Sequence, residues 1–446
     1  MFSLGASVLP IALLAASAVP TENAPAPAPS PVAIVDQDEL DLTSQSNIVL
    51  GVGARALGMG GAFLARADDA TAASWNPAGL SYLRRPEVSL VGNYLSAHST
   101  LGSDRTHGTA ETLDFLAVTY PLSFGGSGGS AQVSYQRAIP FNASRTTVVP
   151  ADHVAGITEI VRTYDSSGGF DVIALGLGWK VTRTVRVGGT LNRWLNGYEQ
   201  AFERTPRRRV SRLDNFDLDA WNVNLGLIWS PIEDLNLGVV GKTPFTAGVV
   251  LDRYRKDFVT QEDGPDLITE NTYRSDAVRL EFPGAWGVGA SFRPLNTFTV
   301  AADYTRTYWS KARIRNYFTL LPVEPGASPG PTNTFDSLVW PNVDAASQAA
   351  SIQVRLGVEY VLIRSRVKVP LRAGYVNDQQ YTKGFDGEAP HFNSFAVGSG
   401  LILGSTLFDV AYQYQWGDYR ATSGAQVTVN THRFYASVIY RWGGIR

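Results

Sequence analysis

The sequence predicts an all-β fold, a 14-stranded antiparallel transmembrane β-barrel with an N-terminal segment inside the lumen. Three observations predict it. Apolar and polar residues alternate with period two from Gly169 to the C-terminus, the apolar faces carry no charge and end in aromatics, and the connections are alternately short and long. The clearest segment places Phe408, Val410, Tyr412, Tyr414 and Trp416 on one face and Asp409, Gln413 and Gln415 on the other. Trp221, Val223, Leu225, Leu227 and Trp229 oppose Asn222 and Asn224 in the same way, and Phe434, Ala436, Val438, Tyr440 and Trp442 oppose Arg433, Ser437 and Arg441. Alternation alone also describes a soluble sandwich or a lipocalin-type barrel. The uncharged faces favour lipid, where an Arg or Lys at the bilayer midplane costs about 2–4 kcal/mol. Aromatics at strand ends, such as Trp221 with Trp229, fit an interfacial girdle.

Composition narrows the class further. The chain has 446 residues, a formal charge of −2, 43 Gly and no Cys. That balance gives no global basic surface for nucleic acid, and cysteine-free sequence suits export through an oxidising compartment. No apolar run reaches the roughly 18 residues of a spanning helix, so a membrane form has to be a closed barrel.

In chain order, residues 1–18 read as a signal peptide. The apolar stretch from Val8 to Val19 ends in small residues with a cleavage-like Ala16-Ser17-Ala18, although no Lys or Arg precedes it. Residues 19–33 are a Pro/Ala-rich linker. Residues 34–85 are too long for a leader and too rich in Gly and Ala for a domain, which leaves the lumen as their place. The barrel then occupies 86–446, with strands expected at 86–98, 112–122, 130–140, 169–182, 184–197, 217–230, 235–250, 277–293, 297–310, 349–363, 366–377, 393–403, 406–417 and 430–442. Short turns such as Arg364-Ser365 and Gly404-Ser405 alternate with long connections at 99–111, 141–168, 198–216, 251–276, 311–348, 378–392 and 418–429. If the first strand runs outward, the long loops are extracellular and both termini are periplasmic.

Residues 51–83 read GVGARALGMGGAFLARADDATAASWNPAGLSYL. The elements Gly-x-Arg-x-x-Gly-Met-Gly-x-Ala from Gly53 to Ala62, Ala67-Asp68-Asp69-Ala70, and Trp75-Asn76-Pro77-Ala78-Gly79-Leu80 resemble the N-terminal signature of the long-chain fatty acid transporter family of outer-membrane proteins, the FadL and TodX type with its PorV-like branch. The resemblance covers essentially the whole mature chain, and the strand count agrees with that family's barrel. It implies that residues 34–85 are a hatch, with Asn76, Pro77, Ala78, Gly79 and Leu80 as its motif and Gly53, Gly58, Gly60 and Gly61 as the glycines that let backbone pack closely. Read from the residues alone, 76–80 also suits a turn into the first strand.

The family reading implies capture of hydrophobic compounds by the extracellular loops and lateral release through a break in strand pairing. Proline cannot donate to a ladder, so Pro140, Pro244 and Pro283 are candidates for the opening, unless they only initiate loops. Phe318, Leu320, Leu321 and Trp340 are candidate entry residues, or else pack loop against loop. Arg207, Arg208 and Arg209, with Arg204 and Arg212, suit the phosphates of lipopolysaccharide better than a ligand carboxylate. Arg355, Glu359, Lys368 and Arg372 face the lumen and are expected to pair across neighbouring strands.

No catalytic constellation is recognisable. His98, His107, His153, His391 and His432 are scattered, without a helical His-x-x-x-His spacing and without Cys, so neither a metal site nor a cofactor is expected. The expected function is passive outer-membrane uptake of long-chain fatty acids or aromatic hydrocarbons. The expected partners are a hydrophobic ligand, outer-membrane lipid and lipopolysaccharide, and the barrel assembly machinery. The rival is a PorV-like accessory barrel bound to a secretion-system protein with no transported ligand; a general polar porin is disfavoured because a hatch blocks water.

Overall fold

A computed structural model describes residues 51–101, 104–124, 127–141, 143–150, 159–205, 208–259, 267–315, 349–364, 367–381, 383–384, 386–420 and 426–443. The expected signal peptide, linker and first part of the hatch lie outside the described residues. None of the described helices is long and apolar enough to cross a membrane.

The strands form fourteen barrel positions. Strands 1 and 2 are Glu87–Leu101 and Asp104–Phe124, and strand 3 is Ser127–Pro140 continued by Ala143–Pro150. Strand 4 is Glu159–Lys180, strand 5 is Val185–Leu195 with Gly197–Thr205, and strand 6 is Arg208–Ile232. Strand 7 is Leu235–Lys242 with Phe245–Val259, strand 8 is Leu267–Phe282 with Ala285–Leu295, and strand 9 is Phe298–Thr307 with Arg313–Arg315. Strands 10 to 14 are Ser351–Ile363, Lys368–Gln379, His391–Leu403, Thr406–Arg420 and Gln426–Arg441. Each pairs antiparallel with the next, and the first pairs with the last from Glu87↔Arg441 to Leu101↔Val427, which closes the sheet. Closure leaves no free edge for lipid to desolvate.

The period-two faces are as the sequence predicts. Leu225, Leu175 and Val410 point outward and are 60%, 57% and 58% exposed, a burden in water and the natural state against acyl chains. Their neighbours Asn222, Gln132, Asp409 and Gln413 point inward and are buried.

Two expectations are corrected. The long connections are largely strand: the expected loop at 198–216 is ladder up to Thr205 and again from Arg208, and that at 251–276 is ladder to Val259 and from Leu267. Alternation of apolar residues marks only the lipid-facing part of a strand, whereas the backbone ladder continues beyond it. The other correction concerns continuity, because strands 3, 5, 7, 8 and 9 are each interrupted, whereas strands 10 to 14, 1 and 2 run without a break.

Candidate functional site

Residues 51–83 lie against the inner face of the wall. Three short helices, Ala54–Gly58, Ala72–Trp75 and the 3-10 helix Pro77–Tyr82, are built mainly of Ala, Gly, Leu and Trp, most of them buried. Small side chains allow this, and so do glycines of the wall. A Cβ at Gly226 would lie 2.0 Å from Asn76 Oδ1, at Gly374 2.2 Å from the Gly60 nitrogen, and at Gly357 2.3 Å from the Met59 carbonyl oxygen. Of the expected hatch glycines, Gly53, Gly60 and Gly61 have φ of +109°, +66° and +75°, a backbone open to glycine. Gly58 serves by proximity, since its Cβ would meet Gly398 Cα at 3.0 Å.

The Asn-Pro motif is pinned to the wall. Asn76 Nδ2 donates to the Leu64 carbonyl at 2.8 Å and to Leu227 at 3.2 Å on strand 6, while its Oδ1 accepts from Ala78 N–H at 3.1 Å and caps the 3-10 helix. Pro77 suits the first helical position, where a missing N–H costs nothing. Gly79 is required by crowding, as its Cβ would fall 1.8 Å from the Ala67 carbonyl oxygen. Trp75 Nε1 donates to the Val52 carbonyl at 2.8 Å, tying the two ends of the segment together.

A buried ionic network joins the segment to strands 10, 11 and 13. Arg55 bonds Asp68 at 2.7 Å, Asp69 at 3.3 Å and Glu359 at 3.4 Å, and Arg66 pairs with Glu359. Arg372 bonds Glu359 at 2.7 Å and Asp409 at 2.6 Å. Burial disfavours the Arg55 charge, and Asp68, Glu359 and Asp69 outweigh that effect, holding its pKa well above the ordinary value. On strand 9, Asp303 accepts from the Phe63 and Leu64 N–H groups at 2.6 and 2.9 Å. Of the four lumen charges expected to pair, Glu359 and Arg372 do so, and Arg355 instead bonds Gln353 beside Trp75. Lys368 is exposed at the start of its strand and takes no part.

On the long-loop side of this segment lies a cavity of about 140 Å³. Its floor is Gly51, Val52, Gly60, Gly61 and Trp75, and its walls mix apolar side chains, Leu95, Ile139 and Val376 among them, with the charged Asp114, Arg137, Arg355 and Arg433; Pro140 and Tyr435 also line it. Residues 76–80 do not line it; they pack instead against strands 4 to 6. Pro140 therefore stands both at a strand interruption and at the cavity.

Beside the cavity, aromatic side chains bridge the lumen of the interrupted half. Phe170 on strand 4 meets Phe282 on strand 8 with ring centroids 6.2 Å apart, and Trp194 on strand 5 meets Phe245 and Phe282 at 4.9 and 5.5 Å. Phe245, where strand 7 resumes, and Phe282, the last residue of strand 8 before its break, stack at 4.5 Å and 9°. Between Lys242↔Ala285 and Phe245↔Phe282 the register skips Thr243-Pro244 and Pro283-Gly284, so the ladder is open at both prolines. Thr243 N–H turns to Val223 on strand 6 at 3.0 Å, and the Gly284 carbonyl accepts from Tyr308 N–H on strand 9 at 3.1 Å.

Phe318, Leu320, Leu321, Trp340 and Arg207 lie outside the described residues. Arg208 and Arg209 belong to strand 6 in their backbone, and their side chains are not described. Sequence reasoning missed the wall glycines and the aromatic bridge; both stand at inward positions of the alternation, which was the available signal.

The model of the BamG family matches residues 52–321. The chain belongs to the BamG family. No curated protein matches. Among solved structures, the Ralstonia pickettii toluene transporter TbuX is similar with a TM-score of 0.59 at 15% identity, covering 88% of this chain and 99% of that one. A Pseudomonas aeruginosa FadL homologue gives 0.58 at 12% identity over 89% and 99%, and the Pseudomonas putida toluene transporter TodX gives 0.57 at 14% identity over 88% and 98%. This BamG-family chain thus has the barrel fold of FadL-type channels, and it is a bacterial outer-membrane protein, in agreement with the resemblance carried by residues 51–83.

Proposed function

We propose that the protein is a passive channel for small hydrophobic molecules. In this reading the long loops face outward, both termini are periplasmic, and residues 34–85 act as a hatch. Ligand enters past the loops, rests in the cavity over Trp75, Gly60 and Gly61, and leaves sideways at a wall interruption. The cavity carries the reading: it is bounded by the hatch and the wall, and Ile139 and Pro140 at a strand break form part of its lining. Its volume of about 140 Å³ matches a single-ring compound in size better than a long acyl chain, since an engineered cavity of about 150 Å³ in another protein takes up benzene; here the ring would meet Trp75, Leu95 and Ile139 in a lining that also holds Asp114, Arg137, Arg355 and Arg433. The toluene transporters among the similar structures agree with that size class.

A second reading, an accessory barrel without a transported ligand, is favoured by the aromatic bridge from Phe170 to Phe282, which fills part of the lumen with side chains. Uptake of radiolabelled toluene and of palmitate into deletion cells with and without the protein separates the two. The channel reading expects faster toluene entry, abolished by Ala110→Trp in the cavity wall; unchanged entry of both compounds supports the accessory reading.

A further inference from the structure

We propose that His98 and His107 form a chelating site for a divalent transition cation, zinc, nickel or copper, on the outward face of the barrel near its long-loop rim. The two residues are directly opposite in the pairing of strands 1 and 2, close to where Leu101↔Asp104 ends the hairpin. Both are exposed, and they share the outward face with Tyr94, away from the inward Asn93 and Thr112 of the cavity. Their rings lie 4.3 Å apart at 29°, with Nδ1 to Nδ1 3.2 Å.

That separation is the argument. Two imidazole nitrogens bound to one tetrahedral zinc at about 2.0–2.1 Å lie roughly 3.3 Å apart. The backbone register holds the two side chains at this bite before any ion arrives, and a turn about the soft χ2 of either ring directs both lone pairs to one point. Imidazole ligands select zinc, copper and nickel over magnesium and calcium, with water completing the coordination.

His432 on strand 14 adds a neighbour. It lies diagonal to His98, since Ser96 is its partner and Asn430 is that of His98. Its ring meets His98 edge-on with centroids 6.5 Å apart, and Tyr412 Oη is 2.8 Å from its Nδ1. That hydrogen bond engages the nitrogen and turns the ring toward strand 13, so His432 flanks the chelate without entering it. Linear spacing conceals the group, because cross-strand pairing and barrel closure bring residues 98, 107 and 432 together.

The test uses tag-free full-length protein in detergent, titrated with Zn²⁺ and Ni²⁺ by calorimetry and with Cu²⁺ by electron paramagnetic resonance. One site per chain is expected, with nitrogen couplings from two imidazoles. His98→Ala and His107→Ala should each weaken binding by roughly tenfold or more. His432→Ala should change it by less than about threefold, and His391→Ala should leave it unchanged. Heat-modifiable gel migration verifies that each variant has folded. If wild type binds no more tightly than the His98→Ala/His107→Ala double variant, the pair is only an N–H···N hydrogen bond and the site is refuted. Loss of binding through His391→Ala alone would equally refute it.

Discussion

The two halves of the barrel solve the same problem differently. Strands 10 to 14, 1 and 2 run unbroken, and strands 10, 11 and 13 fix residues 51–83 by charge, through Glu359, Arg372 and Asp409 to Arg55 and Arg66. Strands 3 to 9 include five that are interrupted, and their lumen is crossed by the rings of Phe170, Trp194, Phe245 and Phe282. Charged anchors need partners at fixed distances, and the continuous ladder supplies most of them, with Asp303 on strand 9 as the anchor from the interrupted half. Aromatic packing is less directional and tolerates a wall that bends at Pro244 and Pro283. The cavity lies where the halves meet, with Tyr435 and Val376 from one and Ile139 and Pro140 from the other. We read the unbroken half as the anchor and the interrupted half as the part that yields.

Four substitutions test that contrast, in descending order of effect. Arg372→Ala leaves Glu359 and Asp409 short of a buried partner, a loss of about 3–5 kcal/mol; hydrogen exchange should rise across residues 51–83, with the outer strands still protected. Phe282→Ala removes the ring that links strands 4, 5, 7 and 8 and should cost about 3 kcal/mol, read as a lower melting temperature with faster toluene entry. Gly374→Ala drives a Cβ against Gly60 and should destabilise by about 1–3 kcal/mol, seen as protease sensitivity of the same segment. Pro244→Ala should change stability by under about 1 kcal/mol while slowing ligand release, because it allows a ladder bond at the break. If Arg372→Ala and Phe282→Ala loosened the same residues to the same extent, the division of labour would be lost.

Much of this fold was legible in the sequence. Alternation reports which face a residue takes, so all fourteen strands could be placed, and Gly53, Gly60 and Asn76 marked the inner segment. Height along the barrel is not encoded that way. The meeting of Phe170 with Phe282, the fit of Gly374 to Gly60 and the convergence of His98 with His107 depend on register and closure, which join residues up to hundreds of positions apart. The strands were expected to project past the lipid, and how far they do was underestimated because polar segments such as 199–205 lose the apolar signal and keep the ladder.

The most direct test is to locate a heavy-atom hydrocarbon. Crystals of the protein equilibrated with iodobenzene should show an anomalous peak between Trp75, Ile139 and Tyr435, absent in Ala110→Trp. Iodine only among the loops or on the lipid-facing surface, with the cavity holding water, would contradict the account.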